Sequence, residues 1–103
     1  MTYNGWTNYE TWLVALWIDN EEGSQRYWAE RAQEVYDEER DDDSATYTLA
    51  SALEEEVKDG APEVNGLYND LLGAALSEVN WREIAEHYVA DVDKTEPEEE
   101  PAL

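Results

Sequence analysis

Apolar residues in this chain recur at helical spacing almost from end to end, and no run alternates with the period of two that a half-buried strand requires. Thr7-Asn8-Tyr9-Glu10 has the S/T-x-x-E form of a capping box, with Thr7 as the cap and Glu10 reaching back to it. Behind it Tyr9, Trp12, Leu13, Leu16 and Trp17 fall at i, i+3, i+4, i+7 and i+8, and this predicts a first helix that buries them and ends near Asp19-Asn20. Trp6, just before the cap, is placed to staple onto that helix. Ser24 can cap a second helix with Trp28, Ala32, Val35 and Tyr36 inward and Glu30, Arg31 and Glu34 towards solvent. It should stop within Asp37 to Asp43, where like charges and the low helix propensity of Asp oppose it. A third helix, from about Ser44 to Asp59, turns Leu49, Ala52, Leu53 and Val57 inward and ends at Gly60.

Pro62 suits the first turn of a fourth helix, striped by Val64, Leu67, Tyr68, Leu71, Leu72, Ala75, Leu76 and Val79. This is the strongest core pattern in the chain, with Gly66 and Gly73 read as points of close helix packing. Asn80-Trp81-Arg82-Glu83 repeats the cap-x-x-Glu form and opens a fifth helix with Trp81, Ile84, Ala85, Tyr88, Val89 and Val92 inward. The expected fold is therefore all-α, a compact bundle of four to five short helices in one domain over residues 1–92. A disordered acidic tail is expected over residues 93–103, where Glu and Pro leave no apolar period.

A core here must be built without Phe, with one Met, and with Ile at positions 18 and 84 alone, so five Trp and seven Tyr carry much of the apolar bulk. Each brings an N–H or O–H that needs a partner or a place near water, and aromatic residues left outside serve as anchors for a partner. We expect Trp12, Trp17 and Trp81 inside, and Tyr3, Trp6 and Tyr47 as the first candidates for exposure.

Acids outnumber bases by 27 to 6, a formal charge of −21, which repels phosphate and removes the counterion release that drives nucleic-acid binding. Direct binding to nucleic acid or to an anionic membrane is excluded on that ground. No run approaches the roughly 20 apolar residues that cross a bilayer, and no signal-peptide order opens the chain, so a cytoplasmic location is expected. With no Cys there is no disulfide, thiol nucleophile or thiolate metal site.

Asn8-Tyr9-Glu10-Thr11-Trp12 with Ala15-Leu16-Trp17-Ile18-Asp19-Asn20, and later Val79-Asn80-Trp81-Arg82-Glu83-Ile84-Ala85-Glu86, resemble two motifs of a family of small uncharacterised proteins carried by phages, plasmids and related mobile elements. The resemblance covers about a quarter of the chain. It implies an accessory phage or plasmid origin and carries over no catalytic or binding residue.

No catalytic residue, cofactor or metal site is expected. Among so many acids close carboxylate pairs are inevitable, and none is marked by a neighbouring nucleophile motif. His87, between Glu83 and Asp91 at i−4 and i+4, reads as a surface histidine. Neither Asp19 nor Asp91 opens a calcium-loop spacing: Gly23 comes one position early in the first, and Ala102 stands at position twelve of the second. Cations should be attracted only diffusely.

The strongest feature is the acidic run, six carboxylates in seven residues from Asp37 to Asp43. On a helix this is roughly one charge per 1.7 Å, the axial charge density of duplex DNA. The partner-binding residues expected are Glu30, Glu34, Asp37, Glu38, Glu39, Asp41, Asp42 and Asp43. As phosphate stand-ins they would meet the basic groove of a nucleic-acid-binding host protein, such as a restriction or CRISPR-type defence complex. The alternative from composition is a salt-adapted structural or interaction protein whose acids hold water and whose binding lies in an aromatic patch.

Overall fold

The computed structural model describes residues 2–95, which form five helices: α1 (Tyr9–Asn20), α2 (Glu22–Glu39), α3 (Asp42–Asp59), α4 (Leu67–Ser77) and α5 (Trp81–Ala90). The all-α class is as expected, with no strand among the described residues. Four helices make the core. Ala15 and Ile18 come from α1, Trp28, Ala32 and Val35 from α2, Ala45, Leu49 and Leu53 from α3, and Trp81, Ile84, Ala85 and Val89 from α5, with Val79 just before it. Ala32, Ala45 and Ala85 are fully enclosed, so these helices approach closely through small side chains and pack Leu49, Leu53 and Ile84 between them.

Before α1 the chain makes a tight turn that the helical reading missed. Tyr3 and Trp6 exchange both backbone hydrogen bonds, at 2.7 and 2.8 Å, around Asn4 (φ 49°) and Gly5 (φ 88°). Positive φ at both central residues is the type I′ geometry that Asn-Gly favours, so the signal was in the sequence. The turn sets Tyr3 against the rings of Tyr9 and Trp12, and Trp6 against His87 of α5 at 4.1 Å. Trp6 thus braces α5.

The caps differ from the expected ones. Asn8, not Thr7, caps α1, its Oδ1 accepting from the Thr11 amide, and Ser24 lies inside α2, which begins at Glu22 with no side-chain cap. Asn80 caps α5 as expected, accepting from the Glu83 amide. Glu83 does not close the box on Asn80, however; its Oε1 accepts from the Thr7 amide at 2.9 Å. The Asn80 amide donates to Thr11 Oγ1 at 2.8 Å, and Asn8 Nδ2 donates to the Glu78 carbonyl at 2.7 Å. The N-termini of α1 and α5 therefore satisfy each other's orphan donors.

Two helical faces are not where the periodicity put them. α1 buries Thr11, Ala15 and Ile18, almost the opposite side from the expected stripe, leaving Tyr9 and Trp17 exposed and Trp12, Leu13 and Leu16 half-buried. α4 starts at Leu67, five residues after Pro62, and buries no residue at all. Val64, Leu72 and Leu76 are half-buried, while Leu67, Tyr68 and Leu71 lie open. Gly66 precedes α4 at φ 63°, and a Cβ on Gly66 or Gly73 would meet no atom within 4 Å, so neither glycine serves close packing. At the other end Asp93 is fastened to α2, its amide and carbonyl both bonded to the Gln33 side chain, and Lys94 reaches Asp42. The expected tail is thus ordered at residues 93–95, and the remainder of it lies outside the described residues.

Candidate functional site

The expected partner-binding carboxylates all lie at the surface, but not on one continuous helix. Glu30, Glu34, Asp37, Glu38 and Glu39 are on α2, Asp41 caps α3, and Asp42 and Asp43 occupy its first turn. The chain turns at Arg40, whose left-handed backbone (φ 54°) lets its amide close on the Tyr36 carbonyl at 2.7 Å. The axial density of a single charged helix therefore does not apply across residues 37–43.

The acidic corner also gathers half of the chain's six Lys and Arg. Arg40 reaches Asp37 at 3.4 Å, Arg82 reaches Asp43 at 3.4 Å and Glu86 at 3.1 Å, and Lys94 reaches Asp42 at 3.0 Å. Arg40 and Lys94 both lie over the Tyr36 ring. Asp41 Oδ2 accepts from the Ser44 amide at 2.8 Å, and the hydrogen bonds from Ser44 hold its carboxyl below the ordinary range. Four of the eight residues are thus occupied in building the α2–α3 corner.

The other four are bare. Glu30, Glu34 and Glu38 stand at i, i+4 and i+8 along the outer side of α2, about 6 Å apart along the axis, with Glu39 beside the last. None meets a cation or accepts a hydrogen bond among the described residues. The remaining bases are engaged elsewhere: Arg26 with Glu22 at 3.0 Å, Arg31 with Glu56 at 3.5 Å and Lys58 with Glu54 at 2.6 Å. Every Lys and Arg in the chain is therefore paired with a carboxylate of the chain itself.

Other polar groups tie elements together. Tyr88 donates to Asp19 at 2.6 Å, with burial first and this bond second holding its phenol well above the usual value; Tyr27 donates to Glu56 at 2.6 Å and is raised chiefly by that bond. No three of the described His, Asp and Glu side chains are grouped so as to hold a metal ion. A depression of about 430 Å³ between α2 and α5 is lined by Glu22, Gln25, Arg26, Gln33, Tyr88 and Asp91, with no nucleophile and general base in hydrogen-bond contact.

A second surface was only partly anticipated. Tyr47 is 69 % exposed and Tyr3 also lies open, but Trp17, expected inside, is 72 % exposed. Leu13, Val14, Trp17 and Ile18 of α1 with Val57 of α3 line a shallow apolar depression of about 360 Å³. α4 in turn presents Leu67, Tyr68 and Leu71, exposed by 67, 70 and 57 %. Sequence reasoning took these residues for core because their period is that of a buried stripe. No described helix is long and apolar enough to cross a membrane, so their exposure is not that of a membrane span.

No curated protein and no solved structure matches the chain. The segments that include the Asn8–Trp12 and Val79–Glu86 motifs, 76 residues apart at Thr7 and Glu83, meet in space through the shared caps of α1 and α5. Both fall within residues 1–99, which match the family of unknown function DUF7249, and the chain belongs to that family.

Proposed function

We propose that this is a non-enzymatic acidic binding protein, of phage or mobile-element type, that occupies the cationic nucleic-acid groove of a host DNA-binding or defence protein. The observation that supports this reading is the pairing of all six Lys and Arg with carboxylates while Glu30, Glu34 and Glu38 are left as an open stripe on α2. Like charges at i,i+4 destabilise a helix, so the stripe is kept against the interest of the fold. Carboxylates on a helix are already positioned, and they meet Arg and Lys without the ordering cost of a flexible segment.

The test is capture from host lysate followed by competition with duplex DNA, using the wild type and Glu30→Gln/Glu34→Gln/Glu38→Gln. The captured protein is expected to bind duplex DNA, to be displaced by it, to be lost at high salt, and to be lost from the triple variant. Neutralising Asp37, Asp41 and Asp42 is a poorer test, because these residues hold the α2–α3 corner. Capture of a neutral or acidic protein indifferent to DNA and salt would overturn the proposal.

A second reading is favoured by the open aromatic and leucine surface: a salt-adapted interaction protein whose acids serve hydration and whose binding uses Trp17, Tyr47 and the outer face of α4. Binding that survives the triple neutralisation and rises with salt supports it against the first.

A further inference from the structure

Two of the chain's asparagines, Asn4 and Asn65, are each followed by glycine. With no side chain on the second residue, nothing shields its amide nitrogen from the carbonyl carbon of the asparagine side chain. The two atoms can meet wherever the backbone between them is free to turn.

The fold holds the two pairs differently. Asn4 lies inside the turn across which Tyr3 and Trp6 exchange both backbone bonds, and that turn is pinned by Tyr3 against Tyr9 and Trp12 and by Trp6 against His87. Its left-handed backbone (φ 49°) turns the Gly5 nitrogen away from the Asn4 side chain. Bringing them together means rotating Asn4 out of the turn and opening both bonds. Asn65 is exposed, in the loop between α3 and α4. Among the described residues, positions 62–65 make no backbone–backbone hydrogen bond, and the Gly66 amide has no acceptor. Asn65 also lines a depression of about 440 Å³ beside Asn69 and Leu72, so water reaches it. The helix that follows buries no residue, so little holds this loop in one conformation.

We propose that Asn65 is a site of spontaneous modification, at which it becomes aspartate or isoaspartate through a cyclic imide formed with Gly66. The Gly66 amide gives its proton to hydroxide and attacks Asn65 Cγ. The N–Cγ bond forms, the Cγ–Nδ2 bond breaks, and Nδ2 takes a proton from water and leaves as ammonia, which restores the hydroxide. Water then opens the ring at one of its two carbonyls. Attack at Cγ breaks the new bond and gives aspartate in the original backbone; attack at the backbone carbonyl breaks the old peptide bond and routes the chain through Cβ and Cγ as isoaspartate. One water is consumed and one ammonia released, with no oxidation or reduction. Either product adds one negative charge to the −21, in a stretch from Val64 to Ser77 where Asp70 is the only other charge. The new carboxylate stands just before α4, whose N-terminus has no side-chain cap and whose dipole favours an anion there. Isoaspartate also lengthens the link into α4 by one methylene.

The test is to age the full chain at neutral and at mildly alkaline pH in heavy-oxygen water, following each Asn–Gly pair by peptide mapping with fragmentation that separates aspartate from isoaspartate. Conversion at Asn65 is expected at least tenfold faster than at Asn4, with the label in the new carboxylate and a rate that rises in proportion to hydroxide. In strong denaturant, where the turn around Asn4 is open, the two rates should come within a few-fold of each other. Asn65→Gln, which would need a larger ring, should remove the fast product and leave helicity and melting unchanged. Equal rates in the folded chain overturn the proposal, as does faster conversion at Asn4. So does a folded chain that stays intact at Asn65 while the denatured chain converts at both sites.

Discussion

Thr11 is fully enclosed and serves two helices at once, its hydroxyl donating to Asn8 Oδ1 at 2.6 Å and accepting from the Asn80 amide at 2.8 Å. Thr11→Val keeps the shape and removes both bonds, leaving the Asn80 N–H without its partner, so it should cost about 1–3 kcal/mol. In a domain of this size that lowers the melting temperature by roughly 4–8 °C per kcal/mol, measurable by circular dichroism at 222 nm. Tyr88 makes a prediction in pH. Burial and the bond to Asp19 raise its phenol above the usual 10.0, so the folded chain keeps a proton that the unfolded chain gives up. The resulting stabilisation is complete below about pH 10 and fades as pH rises beyond it. Wild type should therefore lose melting temperature more steeply than Tyr88→Phe between about pH 9 and 11. Equal slopes would show that neither burial nor the bond to Asp19 raises the phenol in the folded chain.

At the scale of elements, α4 and α5 invert the expectation drawn from their stripes. Leu71 is exposed, so Leu71→Ala should cost less than about 1 kcal/mol in the monomer, whereas Ile84→Ala, at a fully enclosed site, should cost about 2–5 kcal/mol. Melting curves of the two variants at low protein concentration check this. The outer stripe of α2 predicts the reverse sign: Glu30→Gln/Glu34→Gln/Glu38→Gln relieves two i,i+4 repulsions, at about 0.2–0.5 kcal/mol each, and should raise the melting temperature at low salt. The reasons the sequence was legible in some helices and not in others are local. α5 could be read because Asn80 caps it and its polar residues fall on one side. α1 could not, because it is apolar on nearly every side; the inward face went to Thr11 and Ala15, small enough for close approach. α4 has the period of a core helix, but periodicity reports that a face needs a partner and is silent on which molecule supplies one. The α2–α3 corner was readable as a helix end, but the bases returning to it from Arg82 and Lys94 depend on tertiary contacts that no local pattern encodes.

For the whole molecule, charge is the term that solution conditions control. All six bases are already spent in pairs, so the net −21 acts as uncompensated self-repulsion, and salt should stabilise the monomer. We expect a melting temperature that rises steadily between about 0.01 and 1 M salt as the screening length falls from roughly 30 to 3 Å. A flat profile would mean that the charges are too well spread to matter. The shared caps of α1 and α5 set a condition of another kind, on the order of events as the chain is made. Thr7 emerges from the ribosome early, yet Glu83, the residue that accepts from its amide, lies 76 positions later. At synthesis rates of about 5–20 residues per second, the first helix waits roughly 4–15 s for its partner. Through that interval the nascent chain carries the inward face of α1, Thr11, Ala15 and Ile18, with no α5 to close against, and a translational pause anywhere before Val89 would lengthen its exposure to chaperones and to other chains.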